Sequence, residues 1–186
     1  DEKYTMIPNE EYHSRDELSA SQIKTLLNNP YEFLHPKEIS SKSLDIGSAL
    51  HKLVLEKDDF YKEFAVAPVL NMRTKAGKEE YEEFKEKNDG KTILTRTDFE
   101  LCEAMAEAVL QSPSSNILKD GVAEASFFGE IDGVKTRCRP DYFNEDLGLV
   151  IDLKTTDDAS PDAFSKAIAN FGYYIQAPFY LDTLKS

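Results

Sequence analysis

The stretch RPDYFNEDLGLVIDLKTT, Arg139 to Thr156, constrains the fold more than any other part of the chain. The turn-forming residues NEDLG join two short apolar runs, so the runs are expected to pair as antiparallel neighbours. The second run, LVIDLKTT, carries Asp152 and Lys154 in its middle. Residues two apart on a strand face the same side, which puts Asp152 and Lys154 on one surface and Ile151 and Leu153 on the other. A charge in apolar surroundings costs several kcal/mol unless it is paired or bound to a metal. Asp141 precedes Asp152 by eleven residues across the turn, a spacing that lets strand pairing bring the two carboxylates together. Carboxylates that close repel, and a hard divalent cation relieves the repulsion by taking oxygen ligands from both. A neighbouring lysine can orient the attacking water and offset charge developing at phosphorus. The set suffices for metal-dependent phosphodiester hydrolysis. Asp-x-Lys alone is a weak signal, since Asp and Lys at i and i+2 are common cross-strand partners.

Around this stretch the pattern alternates between helix and strand. In LSASQIKTLLNNP, Ser19 with Gln22 reads as a capping box, and Pro30 opens a further short helix. SLDIGSALHKLVLE sets Ile46, Ala49, Leu50, Leu53 and Val54 at helical spacing, with Gly47 and His51 one turn apart. TKAGKEEYEEFKEK reads as a charged helix, and Thr97 with Glu100 as a capping box opening DFELCEAMAEAVLQ. AEASFFGEI and VKTRCRPDYF, joined by Asp132-Gly133, read as a hairpin that LVIDLKTT extends into a three-stranded meander, with LVIDLK on a central strand. SPDAFSKAIANFGYYIQAPFYLDTL returns to helix, capped by Ser160 and broken at Gly172. The expected class is α/β (α+β): a mixed, mainly antiparallel sheet flanked by helices. One domain is expected over 1–186, helical to about 120 and carrying the meander and last helix over about 121–186.

Composition enters as a restriction on partners. A formal charge of −13 argues against nucleic acid, which ordinarily meets a basic face. Net charge does not locate charges, however, and a carboxylate cluster built for cations also makes a chain acidic. Two cysteines, Cys102 and Cys138, without CxxC spacing signal neither a disulfide framework nor a zinc or iron-sulfur centre and read as core thiols. No run approaches the roughly 20 apolar residues of a membrane span, and no signal peptide is visible, so a soluble intracellular protein is expected.

With these residues in place, the chain resembles the PD-(D/E)xK nuclease superfamily, and within it the exonuclease VIII (RecE-like) branch with RecB-type accessory motifs. GSALH supplies Gly47 and His51 of the GxxxH motif, Asp141 the first acid, Asp152 and Lys154 the DxK, and QAPFY the Gln176 and Tyr180 of QxxxY. LSASQIKTLLNNPYEF and RTKAGKEEYEEF also resemble that branch. The resemblance implies a restriction-endonuclease-like core that holds Mg²⁺ or Mn²⁺ on Asp141, Asp152, the Leu153 carbonyl and His51. Lys154 would position the water, Gln176 and Tyr180 would organise the site, and Glu124 would add an acidic group. It further implies a 5′ to 3′ exonuclease on linear double-stranded DNA ends, encoded by a phage or prophage and working in the bacterial cytoplasm. Such an enzyme would serve homologous recombination as a homo-oligomeric ring beside a single-strand annealing protein. Relatives continue past the QxxxY helix, whereas this sequence stops at Ser186, which implies a truncated C-terminal end.

Taken alone, several of these residues read otherwise. His51 would be a hydrogen-bonded core histidine, and Gln176 and Tyr180 an ordinary helix surface. Arg73, Lys75 and Lys78 are the most basic short run and can meet DNA phosphates, although acids follow at once. Arg137 and Arg139 flank the site as further DNA-binding residues, one expected to pair with a carboxylate. His13 and His35 have no recognisable spacing and read as surface residues. Two alternatives stand beside the exonuclease: a related nuclease of different polarity, and a catalytically silent DNA-end or protein-interaction module in which Asp152 and Lys154 form a structural ion pair.

Overall fold

A computed structural model of the chain describes residues 3–37 and 40–186. It contains two compact units, one built from Asp1–Glu38 with Asp120–Ser186 and the other from Ile39–Lys119. The first unit begins with α1 (Asn9–Ser14), α2 (Ala20–Asn28) and α3 (Pro30–Leu34). The second unit contains α4 (Lys42–Leu55), α5 (Phe60–Glu63), β1 (Phe64–Val66), α6 (Lys75–Lys87), β2 (Thr92–Leu94) and α7 (Arg96–Gln111). The chain then returns to the first unit with β3 (Val122–Ala123), β4 (Phe127–Ile131), β5 (Val134–Cys138), β6 (Tyr142–Asn144), β7 (Leu149–Ile151), α8 (Pro161–Asn170) and α9 (Tyr173–Lys185).

The second unit is helical around one short parallel pair, β1 with β2. Ala49, Leu50 and Leu53 of α4 meet Phe99, Cys102 and Ala106 of α7 in a core completed by Phe60, Phe64 and Leu94. The capping box of α7 is shifted from the expected Thr97 and Glu100. Because β2 stops at Leu94, the next residue, Thr95, caps the helix: its hydroxyl accepts from the Asp98 N–H at 3.1 Å and donates to the Asp98 carboxylate at 2.7 Å. Lys42, at the start of α4, reaches the same carboxylate at 2.8 Å.

In the first unit, Ser19 and Gln22 form the capping box the sequence signals, and the backbone just before it clips onto β5, with the Leu18 N–H donating to the Lys135 carbonyl at 3.0 Å and the Arg137 N–H to the Leu18 carbonyl at 2.9 Å. The Asp132-Gly133 turn has φ of 51° and 82°, the paired positive values of a tight hairpin, and joins β4 to β5. The expected three-stranded meander does not form. β4 and β5 make one ladder, while β6 and β7 join β3 in another, ordered β3-β6-β7 and antiparallel throughout. Pro140, which has no N–H for a ladder, sits where VKTRCRPDYF divides between the two. β7 is accordingly an outer strand of its sheet rather than a central one. Both ladders contribute to one core, in which Phe127, Cys138 and Phe143 pack with Tyr180 and Leu184 of α9. The Thr183 hydroxyl of α9 meets that of Thr136 at 3.1 Å, both residues 2% exposed. That packing fixes α9 beside the end of β7. Among the described residues, no helix is long and apolar enough to cross a membrane.

Candidate active site

Register decides where the carboxylates fall. β6 pairs with β7 so that Tyr142 opposes Ile151, and one further step places Asp141 opposite Asp152. The strand ends at Ile151 instead of running through LVIDLKTT, because the next inward N–H is taken by a side chain: Leu153 donates to Asp141 Oδ2 at 2.5 Å. Asp152 and Lys154 thus lie just past the ladder, where they form an ion pair, their side chains 22% and 26% exposed.

Gln176 and Tyr180, one turn apart on α9, close the arrangement from the helix side. The Gln176 amide donates to both Asp152 oxygens at 3.2 Å and to the Tyr180 hydroxyl at 3.0 Å. Burial, with the Asp152 charge beside it, pushes the Tyr180 phenol far above its ordinary pKa, so the hydroxyl keeps its proton. Glu124 follows β3 with φ of 56°, an uncommon conformation for a residue with a side chain, and its N–H donates to the Asp141 carbonyl at 3.1 Å. The turn lets Glu124 line the same polar cavity, of about 360 Å³, as Lys154, Gln176 and Tyr180.

That cavity also draws on residues the sequence did not single out. Tyr12, His13 and Lys24 line it, together with Arg139. His13 is exposed as expected, yet burial and the Arg137 and Arg139 charges lower its pKa. Lys24 is also shifted down, by burial and by the Lys154 charge. Its stem lies across Gly172, whose φ of 65° separates α8 from α9 and where a Cβ would come within 2.8 Å of the lysine chain. Helical periodicity alone could not have revealed these residues, because they meet the site through the clip between Leu18 and β5.

His51 sits half-buried on α4, and Arg73, Lys75 and Lys78 are exposed at or near the start of α6, all four in the second unit. Arg137 is only 3% exposed, and its guanidinium donates to the Arg15 and Glu17 carbonyls and packs over Tyr12 at 5.1 Å. It holds the N-terminal segment on β5. Arg139 donates to Ser126 and to the Ile7 carbonyl, both at 2.9 Å, and lies over Tyr12 at 4.1 Å.

Among the described residues, no three His, Cys, Asp or Glu side chains stand together as a metal-ligating group. What the first unit brings together is the carboxylate pair, and its chemistry suits a hard cation, which takes oxygen ligands. In this structure the charge of Asp152 is balanced by Lys154.

No curated protein matches the chain. The family described as a PDDEXK-like domain of unknown function (DUF3799) matches residues 19–186, a span that includes the carboxylate pair, the lysine and α9. The mixed helices and mainly antiparallel ladders are those of a restriction-endonuclease-like fold, and this chain belongs to the PDDEXK-like DUF3799 family.

Proposed function

We propose that this chain is a nuclease that hydrolyses phosphodiester bonds of DNA with a bound Mg²⁺ or Mn²⁺. Membership of a PDDEXK-like family supports the reaction class. The observation that carries the reading is the facing of Asp141 and Asp152 beyond the β6–β7 ladder, with Lys154 and Gln176 both on Asp152. Asp141, Asp152 and the Leu153 carbonyl would hold the cation, which supplies charge stabilisation at phosphorus and a more acidic bound water. The protein groups have separable tasks. Gln176 orients the Asp152 carboxylate, and the Leu153 N–H orients that of Asp141. Lys154, within the polar cavity, is placed to align the attacking water and offset negative charge. The Tyr180 hydroxyl, protonated, offers a donor rather than a base.

The finer reading is an exonuclease running 5′ to 3′ on linear duplex ends, assembled as a ring and acting in recombination with a single-strand annealing partner. It is supported by the resemblance of the GxxxH, DxK and QxxxY motifs to the exonuclease VIII branch. The closed Asp152–Lys154 pair gives the rival reading, a silent module with a structural ion pair, a specific footing. End-labelled linear duplex incubated with Mg²⁺ or EDTA separates them. The nuclease reading expects metal-dependent loss of the 5′ label first, reduced at least ~100-fold in Asp152→Asn and Lys154→Ala. Degradation that ignores both substitutions sinks it, and loss from the 3′ end corrects the polarity alone.

A further inference from the structure

Beside the polar cavity, and still within the first unit, lies a second one of about 590 Å³. Lys154, Gln176 and Tyr180 line both, so these side chains form a wall with a charged face and an apolar face. The apolar side is lined by rings, Phe164 of α8 with Tyr173 and Tyr174 of α9, and by the aliphatic Ile168 and Leu181. Several of these groups are unusually bare for their type: Tyr174 is 62% exposed, Leu181 45%, and Phe164 and Ile168 36% each. Phe171, which stacks on Tyr173 at 5.8 Å and 26°, is 62% exposed. The Lys154 ammonium stands 4.9 Å over the Tyr173 ring, joining the cationic wall to the aromatic surface. An exposed apolar patch continuous with a reactive site marks a binding surface.

We infer that this aromatic cleft receives one or more unpaired nucleobases of the strand being cut, while the phosphate joined to them meets Lys154 at the wall. The inference rests on the reading of the site as DNA-cleaving and adds where the bases go. A nucleotide has the two-sided chemistry the wall presents, an anionic phosphate tied to a flat aromatic base. Inside a duplex the base faces are covered by their neighbours and the terminal pair offers only its outer face, whereas a single unpaired base can enter a cleft between rings, so the cleft favours a frayed or single-stranded end over an intact duplex terminus. The volume falls within the roughly 300–1,000 Å³ of sites that enclose small ligands. Stacking on rings tolerates any base, which suits an enzyme that degrades without regard to sequence.

The test uses the full chain in EDTA, where no hydrolysis occurs, and a linear duplex with a short unpaired 5′ end carrying 2-aminopurine. Stacking is expected to quench the fluorophore on binding. Tyr174→Ala, at an exposed position, is expected to abolish the quench and weaken binding by about 5- to 100-fold, with Tyr174→Phe retaining both. Phe164→Leu, which keeps the apolar volume, is expected to reduce the quench as well. A cleft that takes an apolar protein segment instead would leave the fluorescence unchanged and tolerate Tyr174→Leu as readily as Tyr174→Phe, and either result overturns the inference. The same samples with Mg²⁺ report hydrolysis separately. Hydrolysis without quenching removes the stacking site and leaves the nuclease reading intact. A Tyr174-dependent quench without hydrolysis supports the stacking site and counts against the nuclease reading.

Discussion

Replacing Arg137 by methionine distinguishes a structural cation from a DNA-binding one. Methionine preserves much of the stem but leaves the Arg15 and Glu17 carbonyls without their donor. A buried carbonyl that loses its partner costs about 1–3 kcal/mol. Arg15 is exposed, so its carbonyl can recruit water and falls at the low end, whereas Glu17 is half-buried. The native side chain also has a liability, since its Nε is buried without a hydrogen-bond partner, and removing that N–H returns about 1 kcal/mol. The net loss is then about 2 kcal/mol, against a typical domain stability of about 5–15 kcal/mol. With a urea dependence near 2 kcal/mol per molar, the unfolding midpoint should fall by about 1 M. Amide exchange should rise first at Leu18 and Arg137, whose N–H groups clip the N-terminal segment to β5. An unmoved midpoint together with a lower, less salt-dependent DNA affinity would show that Arg137 works on DNA and refute this reasoning.

Three other perturbations test separate parts of the structure. The Lys42 ammonium and Thr95 hydroxyl hold the Asp98 carboxyl below its ordinary pKa, so its contribution is present above about pH 3.9, the unfolded value, and is lost as pH falls through the folded one. Asp98→Ala should therefore cost about 1 kcal/mol at neutral pH and nothing in strong acid, measured by urea unfolding at both. Burial raises the Cys102 thiol and pushes Cys138 up to about 12, so at pH 8 neither should react with a disulfide reagent until denaturant is added, when both titrate. Lys24→Ala should flatten the salt dependence of DNA binding by about one phosphate contact, measured as affinity against salt concentration, and an unchanged slope would remove Lys24 from the phosphate path.

Local chemistry carried much of this structure into the sequence. Ser19 with Gln22, Ser160 before Pro161, and Asp132-Gly133 each announce their element, because a cap or tight turn is satisfied by residues a few positions apart. The facing of Asp141 and Asp152 was legible for a similar reason, since a short turn leaves one antiparallel register. Long-range choices were not legible. Whether β5 pairs onward with β6 depends on Pro140 and on β3 arriving from across the chain, and no spacing near VKTRCRPDYF records β3. Thr95 and Thr97 both have an acid three residues later, and only the end of β2 selects the first. The role of Arg137 was hidden likewise: its partners, Arg15 and Glu17, are more than a hundred residues away in the chain.

The net charge is the last point at which sequence and structure part. A total of −13 reads as hostile to DNA because it treats the chain as one averaged surface. The acids are not spread evenly. α6 alone presents Glu79, Glu80, Glu82, Glu83 and Glu86 on a solvated helix, several of them in pairs with its own lysines. Such exposed pairs contribute little to stability and act through space only over about 8–10 Å at ordinary salt. The polar cavity beside Asp152 is different: Lys24, Lys154 and Arg139 line it, and Glu124 is the one carboxylate among its lining residues. Burial lowers the Lys24 pKa first, with the Lys154 charge adding to the shift and the Asp152 charge opposing it. A phosphate entering there would meet these cationic side chains at close range, whereas the acids of α6 meet mainly water and counterions. The field a phosphodiester would meet is therefore the cavity's, set by a few residues that the clip of Leu18 onto β5 brings to the end of the sheet.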